Sequence, residues 1–193
     1  MKAVLITLVV VILVALVVGG QLVGMRNGLV VESNDIQGKF AEVDNSMKRR
    51  ADLIPNLVET VKGFAKQEKG VYDDIAAARS QLLNAQSPQE KINANNQLTG
   101  ALGRLLVVVE NYPQLKSDEN FLRLQDELAG TENRISVERK RYDDAIQAYN
   151  TYIALFPNNI VASMSGFRRN DAYFAASEAS RQVPKVQFPA ASR

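Results

Sequence analysis

The chain has 193 residues, 23 Lys and Arg against 21 Asp and Glu, and a formal net charge of +2, with no histidine, cysteine or tryptophan. Those absences exclude Ser–His and Cys–His nucleophile pairs, zinc sites built on His and Cys, redox dithiols and a lipidated cysteine anchor. The near balance of charge lacks the basic excess of a nucleic-acid binder, so no nucleic-acid partner is expected.

From the N-terminus, Ala3 to Gly20 carry no charge and only Thr7 as a polar side chain; Gln21 interrupts, and Leu22 to Met25 extend the apolar run to Arg26. About 23 helical residues cover roughly 34 Å, enough for a hydrocarbon core of about 30 Å. A cleaved secretory signal is the rival reading: Lys2 suits its charged start and Val18–Gly20 makes a poor cleavage site. The run, however, exceeds the roughly 7–15 residues of a signal's apolar region, and no A-x-A site follows. A retained anchor over residues 1–26 is expected, with the lipid bilayer as partner through residues 3–25. Lys2 lies on one side, and Arg26 and Lys39, mixed with Glu32, Asp35, Glu42 and Asp44, on the other. That brings the positive-inside count close to a tie, and the soluble part is assigned to neither side.

Beyond Arg26 the apolar residues recur with helical period. Leu29, Ile36, Val43 and Arg50 fall at sevens with Phe40 and Met47 between them, predicting a first helix. Pro55 is read as the start of a second helix, because the residue before a proline leaves the α region and proline suits a first turn. That helix, ending near Asn84, carries Val58, Ala65 and Tyr72 on one seam and Val61, Ile75 and Leu82 on its neighbour. Ser87-Pro88-Gln89-Glu90 has the form of a capping box. It opens a third helix with Leu98, Leu102, Leu105, Val109 and Tyr112 in one stripe, stopped at Tyr112-Pro113. Ser117 or Asp118 caps a fourth helix in which Phe121, Leu128, Ile135, Tyr142, Tyr149 and Phe156 fall at sevens, until Pro157.

The expected fold is all-α: an N-terminal transmembrane helix, then a long antiparallel four-helix bundle over residues 27–157 with coiled-coil-like packing. Gly63, Gly100, Gly103 and Gly130 inside these helices are read as points of close helix approach, with a hinge as the alternative. Residues 158–193 form a C-terminal segment, with a short helix over residues 168–181 and an extended tail around Pro184-Lys185-Val186-Gln187-Phe188-Pro189. The tail is either flexible or docks on another subunit through Pro184, Val186 and Phe188.

Several charged or polar residues sit where the seams call for apolar ones. Arg50 continues the Ile36–Val43 seam, Glu68 lies between Val61 and Ile75, and Gln125, Glu132 and Arg139 run at sevens into Ile146 and Ile153. Arg49, Arg50, Asp52 and Glu59 surround the first hairpin, while Glu110, Glu132 and Arg134 come from the other two helices. Buried charges are costly unless paired, so these residues are expected to meet across the bundle, as a register-fixing network or as a subunit or partner interface. A di-iron carboxylate site requires Glu-x-x-His pairs, so neither metal nor cofactor is expected. Acid–base catalysis by two carboxylates, with Glu110 or Glu132 as candidates, is the remaining enzymatic reading; no phosphate loop accompanies them, and the chain is expected not to be an enzyme.

Longer motifs carry a resemblance. Arg49-Arg50-Ala51-Asp52-Leu53-Ile54-Pro55-Asn56-Leu57-Val58-Glu59-Thr60-Val61-Lys62-Gly63-Phe64 closely resembles the signature of the LemA family. So do Arg104-Leu105-Leu106-Val107-Val108-Val109-Glu110-Asn111-Tyr112-Pro113-Gln114-Leu115-Lys116 and Asn120-Phe121-Leu122-Arg123-Leu124-Gln125-Asp126-Glu127-Leu128. Thr131-Glu132-Asn133-Arg134-Ile135, Tyr149-Asn150, Phe156-Pro157, Gly166-Phe167 and Pro184-Lys185-Val186 follow in the family's order. The resemblance implies a bacterial protein with an N-terminal transmembrane helix and a soluble antiparallel helical bundle, and it carries over no catalytic residue. The expected role is a single-pass, plasma-membrane scaffold that forms homo-oligomers or organises proteins or membrane at the cell envelope. An accessory or regulatory subunit of a membrane enzyme such as a protease is the alternative, and a carboxylate-dependent hydrolase a remote one.

Overall fold

The apolar N-terminal run and the first heptad seam belong to one unbroken helix. In the computed structural model, which describes residues 2–174, α1 spans Lys2–Phe64. It is followed by α2 (Lys69–Asn84), α3 (Pro88–Val109), the single-turn α4 (Pro113–Lys116), α5 (Glu119–Ala154) and α6 (Asn158–Ser165); there is no strand among the described residues. Along α1 the surroundings change without a change in backbone. Residues 2–24 are exposed on every side, and their window of highest mean hydropathy is long and apolar enough to cross a membrane. From Leu29 onward a stripe of Leu29, Ile36, Val43, Met47, Arg50, Ile54, Leu57 and Val61 is buried.

Pro55 therefore does not begin a second helix, as its chemistry suggested; it lies inside α1, and the chain turns ten residues later, over residues 65–68. Proline has no N–H, so the Ala51 carbonyl one turn earlier loses its helical donor. That carbonyl instead accepts a hydrogen bond from Arg79 Nε of α2 at 2.7 Å. The helix continues because a neighbouring helix satisfies the group that proline leaves open.

The long helices alternate in direction. α1 and α5 run antiparallel, with Arg50 beside Glu132, Phe40 beside Tyr142 and Gly28 beside Tyr152. α2 returns antiparallel to α1 and α3 reverses again, with Arg104 paired to Asp74 across that hairpin. Ser87 accepts from the Glu90 N–H and Glu90 reaches back to the Ser87 N–H, completing the capping box that the sequence announces. Asp118 caps α5 by accepting from the Phe121 N–H at 2.9 Å.

α2 is short, and the α2–α3 hairpin reaches back along α1 only to the level of Asp44, where Lys91 meets it. Four helices thus enclose the core in the half distal to the apolar run. In the proximal half α1 and α5 run as a pair, and the third side is closed by α6 and by residues 166–174, which are a turn and irregular chain rather than helix. The expected helix at residues 168–181 is accordingly absent as far as Phe174; its remainder, and Pro184, Val186 and Phe188, lie outside the described residues. The stripe of sevens in α5 also ends earlier than expected: Tyr149 is buried, but Phe156 is 79% exposed.

A Cβ at Gly63, Gly100, Gly103 or Gly130 would meet nothing within 4 Å, so none of these marks a close helix approach. The close approach is at Gly28, where an added Cβ would lie 3.0 Å from Tyr152 Cζ and closer still to the hydroxyl.

Candidate functional site

Arg50 occupies a core position of the α1 seam and is 5% exposed. Its Nη1 donates to Thr99 Oγ1 at 2.9 Å and to Asn95 Oδ1 at 3.3 Å, both on α3. The same nitrogen lies 2.8 Å from Glu132 Oε2 on α5, off the N–H direction, so that contact is Coulombic rather than an aligned hydrogen bond. One guanidinium thereby ties three helices at one level. Burial lowers the Arg50 pKa, Glu132 raises it and Arg139 lowers it, leaving it below its ordinary value. Arg50 Nε and Asn95 Nδ2 are buried without a protein partner.

A cleft of about 210 Å³ opens beside this cluster, lined by Leu57, Leu102, Leu106, Phe121 and Leu128 with Arg50, Gln125 and Glu132 as its polar members. It suits an apolar side chain better than a polar substrate. Glu110 is exposed at the end of α3 and pairs with Lys116, so the two carboxylates considered for acid–base chemistry sit in separate ion pairs.

The other polar residues singled out from the sequence are dispersed. Arg49, Asp52 and Arg134 are exposed, Glu59 pairs with Lys62 at 2.8 Å on the surface, and Glu68 precedes α2 in the turn. Arg139 reaches Asn96 at 3.4 Å and lies over the Phe174 ring, 4.4 Å from its centroid. The structure thus gathers Arg50, Gln125 and Glu132 around one cleft, sets Arg139 within Coulombic reach of Arg50, and leaves the rest at the surface.

Three contacts lie outside that set. Asp44 bridges Lys48 at 2.9 Å and Lys91 at 2.5 Å, joining α1 to the start of α3. Burial pushes its pKa up, but hydrogen bonds from Lys91 and Lys48 outweigh it and hold the carboxyl below its usual value. Asn150, also buried, donates from Nδ2 to the Asn170 carbonyl at 2.7 Å and accepts from the Asn170 N–H at 2.9 Å, imitating a strand partner for one peptide. Asp143 accepts from the Phe174 N–H at 3.0 Å. Burial raises the Asp143 pKa despite that bond, and burial together with Asp143 pushes the Tyr142 hydroxyl up to about 12. Asn95 and Asn150 had a signal in the sequence: Asn95 extends the Leu98–Leu102–Leu105–Val109 stripe backward, and Asn150 stands four residues after Ile146.

Comparison with known proteins agrees with this architecture. The chain matches the LemA family over residues 39–188. It belongs to that family. Among curated relatives, it is 28% identical over 174 residues to the magnetosome protein MamQ 2 of Paramagnetospirillum magneticum, a match covering 77% of this chain and 64% of that protein. Protein LemA of Metamycoplasma hominis is 27% identical over 160 residues, covering 82% of this chain and 73% of the relative. MamQ of Magnetospirillum gryphiswaldense is 23% identical over 169 residues, covering 74% and 62%. The chain therefore spans just under two thirds of the length of the magnetosome proteins it matches. Family membership and the exposed apolar helix together describe a membrane-associated helical protein.

Proposed function

We propose that this LemA-family protein is a non-enzymatic scaffold, anchored by a single N-terminal span in a bacterial plasma membrane. Its bundle assembles into homo-oligomers or organises other envelope components. The observation that carries this reading is the continuity of α1: the apolar run and the bundle's principal helix are one element with no linker, so the bundle is held rigidly to the span. Exposed apolar residues on its flanks, among them Leu122 at 44% and Val137 at 51%, offer surface for lateral contact. The cluster at Arg50 is built to fix helix register, and its neighbouring cleft is apolar; both suit a structural part.

The test is the mass distribution of the full chain reconstituted in lipid nanodiscs and imaged in native membrane. Discrete homomeric particles support the scaffold. A chain that stays monomeric at every concentration removes self-assembly, and co-purification in detergent with one fixed membrane enzyme supports the accessory-subunit reading instead.

A further inference from the structure

Residues 145–167, between Asp144 and Arg168, contain no charged side chain, and they end the bundle on the side of the apolar run. α6 lies within this stretch. Val161 and Ala162 on its inner side pack against Leu29, with Met25 and Phe167 beside them. Met25 is the last apolar residue before Arg26, so α6 sits within about one helical turn, roughly 5 Å, of the end of the span. Among the described residues nothing covers its other side or the residues just before it: Phe156 is 79% exposed, Ile160 50% and Met164 81%, with Ile160 and Met164 one turn apart on a single face. Gly166 takes a left-handed conformation at φ 78° and turns the chain back, and two exposed arginines, Arg168 and Arg169, follow at once. Apolar side chains directed outward beside a membrane span, bordered by basic residues, are the composition of an interfacial helix.

We propose that α6, with Leu155 and Phe156, is a second membrane contact. It is a foot that inserts Phe156, Ile160 and Met164 into the headgroup–acyl boundary of the bilayer through which α1 passes, with Arg168 and Arg169 at the level of the phosphates. The bundle then rests on two points, and its rotation about α1 is fixed as well as its height. This rests on reading residues 3–25 as a span, and the experiment separates the two.

The natural chain has no cysteine, so single-cysteine variants of the full-length protein can carry an environment-sensitive fluorophore. Leu13→Cys, Met164→Cys and Val107→Cys are reconstituted into phosphatidylethanolamine–phosphatidylglycerol vesicles, with or without nitroxide-bearing lipids, and exposed to aqueous iodide. The label at position 164 should be quenched strongly by shallow lipid nitroxides and at least threefold less by iodide than the label at position 107. The label at position 13 should be quenched by deep nitroxides only. A position-164 label that behaves like the one at position 107 while position 13 is lipid-quenched overturns the foot and keeps the span. A position-164 label shielded from both quenchers overturns it in favour of contact with another copy. An unquenched position 13 overturns the span and the foot together. In a Phe156→Cys background, adding Ile160→Glu and Met164→Glu should abolish lipid quenching at position 156; unchanged quenching there also overturns the proposal.

Discussion

In the distal half of the bundle α1 is flanked by α2, α3 and α5, whereas in the proximal half α5 is its only long neighbour, and the short α6 and a nine-residue irregular strap complete the core. The two halves meet the demand for backbone hydrogen bonds differently. A helix satisfies its own backbone, so the distal half needs inter-helix polar contacts at few places, and Arg50 supplies a central one. The strap has no backbone ladder of its own, so side chains supply most of its bonds: Tyr149 donates to the Arg168 carbonyl, Asn150 holds both groups of Asn170, Asp143 accepts from Phe174, and within the strap Asn170 Oδ1 accepts from the Ala172 N–H. Charged groups link the helices in the distal half, and neutral amides and hydroxyls do much of the linking at the end nearer the apolar run.

Breaking the distal centre should have the largest effect. Arg50→Ala strands the buried Asn95 and leaves Glu132 uncompensated, and it should cost about 3 kcal/mol in urea unfolding of the full chain in detergent. Arg50→Met, which fills the space, should lose less. A cost below about 0.5 kcal/mol would mean that the three helices keep register without it. Breaking the proximal clamp should be milder and local. Asn150→Ala removes both bonds to Asn170 and should cost about 2 kcal/mol, with faster amide exchange in residues 166–174 and unchanged exchange in α2 and α3. Gly166→Ala forces a side chain into a left-handed position and should cost about 1 kcal/mol, read as a lower midpoint of thermal unfolding.

An effect as small as that at Gly166 is pH-dependent and belongs to the junction of the halves. The Asp44 carboxyl titrates below its usual 3.8 when folded, so its contribution is complete above that value and disappears as pH falls through the lower, folded one. Asp44→Asn should remove about 1 kcal/mol at neutral pH and flatten the acid limb of the stability profile. An acid limb unaltered by this substitution would place the sensitivity elsewhere.

Much of this structure was legible in the sequence where periodicity alone decides. The sevens of α1 and α5 and the stripe of α3 reappear as seams that are buried or half-buried, Phe156 excepted, and the cap at Ser87 as a closed capping box. At Pro55 local chemistry and period disagree, and period prevails. Val43, Met47, Arg50, Ile54, Leu57 and Val61 alternate steps of four and three straight through it, which a helix boundary would have broken. What rescues the helix, the Arg79 side chain, lies 28 residues away and has no local signature. The polar cluster was legible only in part: burial at a seam identified Arg50, but exposed Arg49 and Asp52 beside it share its charge density and not its environment. Phe156 belongs to the arithmetic of sevens and yet points out of the bundle, because the helix ends at Ala154 before the period can place it.

With the apolar run spanning a bilayer as proposed, the uninterrupted α1 also makes the molecule a lever. From Arg26 to Phe64 the helix extends about 57 Å beyond that run, at 1.5 Å per residue. A tilt of roughly 20°, ordinary for a membrane helix, would carry its far end sideways by about 20 Å. Small changes in bilayer thickness at one end would thus become large displacements at the other, unless a second point of support holds the shaft upright.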